Sequence, residues 1–149
     1  MVRILVVNGP NLNLLGEREP DVYRGTSLKE IEENMRNRVR DLEVELEFFQ
    51  SNHEGAIIDK LHEERKRADF LIINPGGLTH YSVSLHDAIK AAGIPAIEVH
   101  LSNIYAREGF RRNSLIAPAV IGGIFGLGPT SYLLALEAAL HMTGATRNG

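Results

Sequence analysis

Short apolar stretches alternate with helical patterns along this chain. Five of the stretches read as strands, at residues 4–7, 44–49, 70–73, 96–99 and 119–124. They are rich in β-branched residues and nearly continuous, as is typical of strands buried on both faces of a parallel sheet. The second stretch differs, because Glu43, Glu45 and Glu47 alternate with its apolar residues. That alternation predicts an edge strand with one side facing solvent or an interface.

Four helices are predicted between and after these strands. The first begins near Ser27, which forms a capping box with Glu30. The others are expected at residues 55–67, at residues 83–92 with an end at Gly93, and from about Pro129 onward. The residues predicted to face the core in the first, second and last helices are Leu28, Ile31, Met35, Val39, Leu42, Ile57, Ile58, Leu61, Tyr132, Leu133, Leu136 and Leu140.

Strict alternation of strand and helix implies right-handed crossovers and a doubly wound α/β sheet. For five strands, the predicted fold is the flavodoxin-like, three-layer α/β/α arrangement with strand order 2-1-3-4-5. A length of 149 residues fits one domain over residues 1–149, with the last few residues expected to be disordered. Ligands of such sheets bind beyond the carboxyl ends of the strands, so the segments after each strand are the place to look for chemistry.

Composition narrows the possible functions. The chain has no Cys, which excludes a disulfide framework, thiolate metal sites and cysteine nucleophiles. Its net charge of -3 argues against a nucleic-acid or membrane partner held by positive charge. The first apolar stretch ends at Asn-Gly-Pro and lacks the small-residue cleavage site of a signal peptide, so it is interpreted as a strand. No apolar run reaches the ~18 residues of a membrane span. The expected compartment is the cytoplasm.

Two of the strand-end segments carry polar loops. The connection of residues 8–25 is long compared with the usual ~2–6 residues and contains Asn11, Arg18 and Tyr23. Such a loop suits an active-site lid, although an ordinary surface loop has the same appearance. After the third strand, paired glycines between Asn74 and His80 let the backbone approach a ligand, and the next helix start offers N–H groups to an anion.

The fourth strand carries Glu98 and His100, which point to the same face. A carboxylate beside an imidazole orients it and favours its protonated form, so His100 is a candidate general acid. The pair equally fits a role limited to satisfying buried polar groups. Downstream, Arg107, Arg111 and Arg112 suit a substrate carboxylate through bidentate hydrogen bonds, or form a solvated basic turn.

Other reaction types lack their motifs. There is no HExxH zinc motif, P-loop, dinucleotide fingerprint or G-x-S-x-G elbow, and the four Lys residues lie on charged helical stretches unsuited to imine chemistry. A receiver-type signalling domain would need acidic residues just after the first strand, where this chain has Asn-Gly-Pro-Asn, so that class of protein is a poor match. Acid–base chemistry on a small anionic substrate remains. Tyr23 serves as its base if Arg18 or Arg107 lowers the phenol pKa from about 10, or else only packs the lid.

Nine polar motifs, in order and spacing, resemble the type II 3-dehydroquinate dehydratase family from Met1 to about His141. They are Asn8-Gly-Pro-Asn-Leu-Asn-Leu-Leu-Gly16, Arg18-Glu-Pro20, Val22-Tyr23, Gln50-Ser-Asn-His-Glu-Gly55, Asn74-Pro-Gly-Gly-Leu-Thr-His80, Glu98-Val-His-Leu-Ser-Asn103, Ala106-Arg-Glu108, Phe110-Arg-Arg112 and Gly126-Leu-Gly128. The resemblance implies a flavodoxin-like fold and trans dehydration of 3-dehydroquinate to 3-dehydroshikimate in the shikimate pathway, without metal or organic cofactor.

The resemblance also implies roles for individual residues. Tyr23 acts as a tyrosinate that removes the proton α to the ketone, Arg18 supports it and the transition state, and His100 protonates the departing hydroxyl. Asn11 positions a water that stabilises the enolate, and Glu98 orients His100. The remaining implied residues are Arg107 near the base and, for substrate binding, Asn74, His80, Asp87, Leu101, Ser102 and Arg111.

Family members assemble as dodecamers, a tetramer of trimers, in which Asp87 would reach a neighbouring subunit's site. Arg24 and Gly109 depart from the family pattern, and we expect them to affect rate or lid dynamics rather than reaction type. The alternative function is a flavodoxin-like module that binds a small carboxylate without chemistry. Such a module would keep Arg111 but would not need Tyr23 or His100.

Overall fold

A five-stranded parallel sheet organises the chain. The structure, a computed structural model, describes residues 1–17 and 26–145. The strands are β1 (Val2–Asn8), β2 (Val44–Gln50), β3 (Phe70–Asn74), β4 (Ala96–His100) and β5 (Gly122–Phe125). They pair in parallel in the order β2-β1-β3-β4-β5, which confirms the predicted topology.

The helices begin and end close to the predicted positions. They are α1 (Leu28–Val39), α2 (Glu54–Glu64), α3 (Val83–Ala92) and α4 (Thr130–Thr143). The Ser27 hydroxyl accepts the N–H of Glu30 at 3.2 Å, and Gly93, at φ 68°, closes α3 in the left-handed region. Helix α2 ends three residues earlier than expected, because the Glu64 carbonyl accepts the N–H of Arg67 and turns the chain there.

The three central strands bury both of their faces. Alternate residues of β1, β3 and β4 pack against α1 and α4 on one face and against α2 and α3 on the other. Of the residues predicted to face the core, Leu28, Leu42, Ile58 and Leu133 are only partly buried. The two separate clusters hold the sheet rigid, and so fix where the strand ends project.

The two edge strands behave differently from the centre. Strand β2 is an edge strand as predicted, and Glu45 and Glu47 bind Arg3 of β1. The prediction for β5 was wrong in its bounds and its burial. Residues Ala117–Ala119 form a 3-10 turn around Pro118, which lacks an N–H for the sheet, and the strand that follows is mostly exposed.

The loops after β1 and β3 interlock at two glycines. A Cβ on Gly9 would collide with the carbonyl group of Pro75. A Cβ on Gly76, which has φ +60°, would lie 2.9 Å from the carbonyl oxygen of Pro10. The Gly9 N–H also donates to the Asn74 carbonyl at 2.8 Å. Because each glycine admits the backbone of the other loop, the two segments form one floor beyond the sheet.

Candidate active site

A cavity of about 120 Å³ opens at the carboxyl ends of β1, β3 and β4, where the fold rule predicted it. Its described lining includes two guanidinium groups and no carboxylate, so it suits an anionic ligand. The lining residues are Pro10, Asn11, Leu12, Asn74, Gly76, Gly77, His80, His100, Leu101, Ser102, Ile104, Arg107 and Arg111.

His100 and Glu98 form a buried pair at the end of β4. They are 8% and 4% exposed, and His100 Nε2 lies 2.5 Å from Glu98 Oε2. The i, i+2 spacing in a strand puts both side chains on one face, as the sequence predicted. With Nε2 engaged by the carboxylate, Nδ1 is the ring nitrogen left for a ligand in the cavity.

His80 is fixed from behind by the backbone. Its Nδ1 lies 2.9 Å from the carbonyl oxygen of Asn113, and since a carbonyl only accepts, Nδ1 carries the proton. The other ring nitrogen, Nε2, is then the one available to a ligand of the cavity that His80 lines. The residue sits at the end of a 3-10 turn (Gly76–His80), not on α3.

The following helix start does not reach the cavity. The hydroxyl of Ser82 caps α3 by accepting the N–H of Leu85 at 2.9 Å, and no described α3 residue lines the cavity. The start of α3 therefore contributes no described residue to this cavity. The 3-10 turn between β3 and α3 carries the lining glycines instead.

Asn74 is oriented by a buried tyrosine. Its Nδ2 donates to the Tyr132 hydroxyl at 2.9 Å, and that hydroxyl donates to Asn8 Oδ1 at 2.6 Å. Asn74 Oδ1 accepts the Gly76 N–H at 3.1 Å. Asn8 and Asn74 are paired in register on β1 and β3, so Tyr132 of α4 bridges two strand ends and fixes which way the Asn74 amide points.

Asn11 adopts a left-handed backbone conformation with φ 71°. Asparagine tolerates this region better than most residues, and the turn brings Asn11 to the cavity rim. Its N–H donates to Asn52 Oδ1 at 2.9 Å, while Gln50 Nε2 donates to the Gly9 carbonyl at 3.2 Å. The loop after β2 thus supports the loop that carries Asn11.

Two arginines reach the cavity from the segment after β4. Arg107 Nη1 lies 3.4 Å from the hydroxyl of Ser102, next to the buried Leu101. Arg111 Nε donates to Glu108 at 2.6 Å. Hydrogen bonds from its own backbone and from Arg111 hold the pKa of Glu108 below its usual value, so the carboxylate stays ionised and keeps the guanidinium at the rim.

Not every predicted residue joins this cluster. Asp87 is exposed on α3 and Arg112 is exposed after its 3-10 turn, and neither lines the cavity of its own chain. The predicted base Tyr23, its partner Arg18 and the departure Arg24 lie outside the described residues, as do residues 146–149. The described residues therefore include the predicted acid, His100, but not the predicted base.

Sequence reasoning missed two contributors. Ser114 donates to both carboxylate oxygens of Glu98 at 3.0 Å, and Tyr132 was predicted only as an apolar core residue. Neither has a local signal, because Ser114 lies 16 positions from its partner and Tyr132 lies 58 and 124 positions from its two asparagines.

Within residues 1–17 and 26–145, no three His, Asp or Glu side chains cluster as metal ligands. Across the same described ranges, no helix has the length and apolar character to cross a membrane. The residues that meet at the cavity are hydrogen-bonding amides, two imidazoles, a hydroxyl and two guanidinium groups. Such groups can bind a hydroxylated anion and exchange protons with it.

Comparison with known proteins agrees with this chemistry. The family model for class II dehydroquinases matches residues 2–140. The 3-dehydroquinate dehydratase of Caldicellulosiruptor saccharolyticus is 54% identical over 145 residues, covering 97% of this chain and 100% of its own. That of Halothermothrix orenii is 52% identical over 142 residues, covering 95% and 96%. The crystal structure of a type II dehydroquinase from Butyrivibrio crossotus has a TM-score of 0.89 at 42% identity, covering 92% of this chain and 96% of its own. The chain therefore belongs to the type II dehydroquinase family.

Proposed function

We propose that this chain is a hydro-lyase that converts 3-dehydroquinate to 3-dehydroshikimate by reversible trans dehydration, a step of the shikimate pathway. Family membership supports the reaction. Its assignment to this site is supported by His100, which lines a cavity with two arginines and is held by the buried Glu98. Residues 1–149 are taken as one catalytic domain, supported by the single five-stranded sheet and by a cavity lined from the ends of three of its strands.

The reaction begins with proton removal next to the ketone. In this proposal the Tyr23 phenolate takes the proton, Arg18 and Arg107 stabilise the phenolate, and the C–H electron pair moves onto the ketone as an enolate. A water held by Asn11 donates to the enolate oxygen. Asn11 lies in a left-handed turn at the cavity rim, and this position supports that role.

The second half expels the hydroxyl. The enolate electrons return to form the carbon–carbon double bond, the C–O bond breaks, and His100 gives its proton so that the group leaves as water. Glu98 orients the imidazole for this transfer. The buried contact at Nε2 supports the roles, since it leaves Nδ1 to act on the substrate.

The substrate's anionic and hydroxyl groups need fixed partners. We assign Asn74, His80, Arg111 and the Leu101–Ser102 segment to them, supported by their common position on the cavity wall. Two arginines on a wall without a described carboxylate support binding of the substrate carboxylate. Asp87 would act in a neighbouring subunit's site, supported by its exposure on α3.

The proposed assembly is a homododecamer. Exposed apolar side chains in the segment after β4 and in or next to the edge strand β5 support burial against other copies; they are Tyr105, Phe110, Ile121, Phe125 and Leu127. The proposed compartment is the cytoplasm, supported by a cysteine-free composition. Light scattering on the eluted native particle should give twelve times the chain mass; a monomer mass would contradict the assembly.

The test of the reaction is absorbance of the conjugated enone product with 3-dehydroquinate as substrate. Turnover by the parent protein is expected, Tyr23→Phe should abolish it, and His100→Ala should keep part of the deuterium exchange at the α-carbon while losing dehydration. A flat trace from folded protein that still binds the compound would instead favour the carboxylate-binding module. That alternative is not favoured, because a binder has no need for the Glu98–His100 pair and the relatives are named as dehydratases.

A further inference from the structure

Ser114 lies behind the catalytic pair and contacts it directly. Its Oγ is 3.0 Å from each carboxylate oxygen of Glu98. The same Oγ accepts the N–H groups of Ile116 at 3.2 Å and Ala117 at 3.0 Å. A hydroxyl oxygen has two acceptor positions, and these backbone groups occupy both. The hydroxyl proton is therefore committed to Glu98.

That commitment decides how the neighbouring imidazole is arranged. Glu98 accepts from Ser114 on one side and meets His100 Nε2 on the other. A carboxylate held as an acceptor takes its second hydrogen bond from an N–H, so the proton of that contact resides on Nε2. With Nε2–H held by Glu98, the doubly protonated ring of His100 delivers its second proton from Nδ1 to the substrate and is left as the neutral Nε2–H tautomer.

The backbone on either side of Ser114 is clamped. The carbonyl of Asn113 accepts from His80 Nδ1 at 2.9 Å, and that of Leu115 from His86 Nδ1 at 2.6 Å. The Leu115 N–H donates to the Thr79 carbonyl at 2.8 Å. Three hydrogen bonds to the 79–86 segment thus fix the height and direction of the Ser114 side chain, and one of them comes from the cavity residue His80.

We propose that Ser114 is a positioning residue for the acid step: its donated hydrogen bond holds Glu98 against His100 and so sets Nδ1 as the proton donor to the departing hydroxyl. This inference rests on the proposed function. It assigns Ser114 to the second half of the reaction only, because Ser114 contacts the acid pair and does not line the substrate cavity. Enolate formation should not depend on it.

The test separates the two halves of the reaction in Ser114→Ala. Dehydration is followed by enone absorbance, and enolate formation by solvent deuterium entering the carbon next to the ketone. We expect kcat to fall roughly tenfold to hundredfold with KM changed less than about threefold, and the ratio of exchange to dehydration to rise. Ser114→Thr keeps the hydroxyl and should restore the parental ratio.

A matched control is the buried Ser82, whose hydroxyl also joins a backbone N–H to a glutamate, here Leu85 to Glu54. Ser82→Ala should lower the unfolding temperature without raising the exchange-to-dehydration ratio. If Ser114→Ala does not fold, the exchange-to-dehydration ratio is measured on Ser114→Cys instead. Cysteine has a similar size and is a weaker hydrogen-bond donor, so the ratio should rise there as well. A parental ratio in a folded Ser114 variant lacking the hydroxyl would overturn the assignment. A parent protein without dehydration would instead overturn the proposed function.

Discussion

Two glutamates are buried at opposite ends of the sheet, and their partners differ in kind. Glu64, fully buried at the end of α2, binds Arg3 at 3.2 Å and Lys60 at 3.3 Å. Glu98, near the carboxyl end of β4, binds the Ser114 hydroxyl and the His100 imidazole. One carboxylate is surrounded by permanent cations, while the other is held by a neutral hydroxyl and an imidazole.

In the proposed mechanism, this difference separates a structural carboxylate from a catalytic one. Burial alone would raise the pKa of Glu64, but hydrogen bonds and positive charge from Arg3 and Lys60 hold it below its usual value. Glu64 therefore stays ionised and only anchors its neighbours. Glu98 instead contacts a neutral hydroxyl and an imidazole, a group that can pass a proton to a substrate. The two carboxylates therefore differ in the chemistry of their partners and not in burial.

The largest expected effect is on catalysis at Glu98. In Glu98→Gln the amide of Gln can present an N–H where the imidazole needs an acceptor, so the proton arrangement of His100 is lost. We expect kcat to fall about 10²–10⁴-fold with a small change in unfolding temperature. Enone absorbance measures the rate, and turnover within about threefold of the parent would contradict a role in orienting the acid.

The corresponding change at Glu64 should act on stability alone. Glu64→Gln leaves Arg3 and Lys60 with less compensation, at a cost of about 3 kcal/mol in the free energy of unfolding. Urea denaturation measures that loss, and kcat per folded molecule should remain parental. A variant that is stable but slow would remove the distinction between the two sites.

The pH dependence of stability sharpens the comparison further. Because the folded-state pKa of Glu64 is depressed, its contribution is fully present above the unfolded value of about 4.5 and is lost as pH falls through the folded value. Parent and Glu64→Gln should therefore converge in stability below about pH 4.5. A gap between their urea midpoints that stays constant from neutral to acid pH would be inconsistent with this linkage.

The smallest expected effect is at the hydroxyl that orients Asn74. Tyr132→Phe removes the bridge between Asn8 and Asn74 and should cost about 1 kcal/mol of stability. Because the Asn74 amide then keeps only the hydrogen bond from the Gly76 N–H, it is held less firmly, and we expect KM to rise severalfold while kcat changes less. Leu136→Ala, which opens the same α4 interface without touching the hydroxyl, serves as a control. A rise in KM of equal size there would assign the effect to packing.

The fold was largely predictable because its signals are local. The Ser27 cap, the stop at Gly93 and the alternating glutamates of β2 each depend on a few neighbouring residues, and the strand order follows from alternation and chirality. The bounds of β5 were not predictable from apolar content. Pro118 and the turn around it displaced a strand that the residue types alone would allow.

The site was predictable only where the spacing of residues along the sequence, or the order of the strands, brings its members together. Two positions along a strand bring Glu98 to His100, and the loops after β1 and β3 lie side by side in the sheet order. The roles of Ser114 and Tyr132 depend on contacts between distant segments. In the sequence, Ser114 resembles an ordinary loop serine and Tyr132 resembles an ordinary core residue of a helix. Their roles follow only from which atoms their hydroxyl groups meet.

The reciprocal seating of Gly9 beneath Pro75 and of Gly76 beneath Pro10 has a consequence for engineering. Neither turn can be transplanted from another scaffold alone, because any side chain brought to one glycine would push out the opposite backbone. A designer who wishes to exchange the first loop for a different specificity must move residues 9–10 and 75–76 as a single cassette.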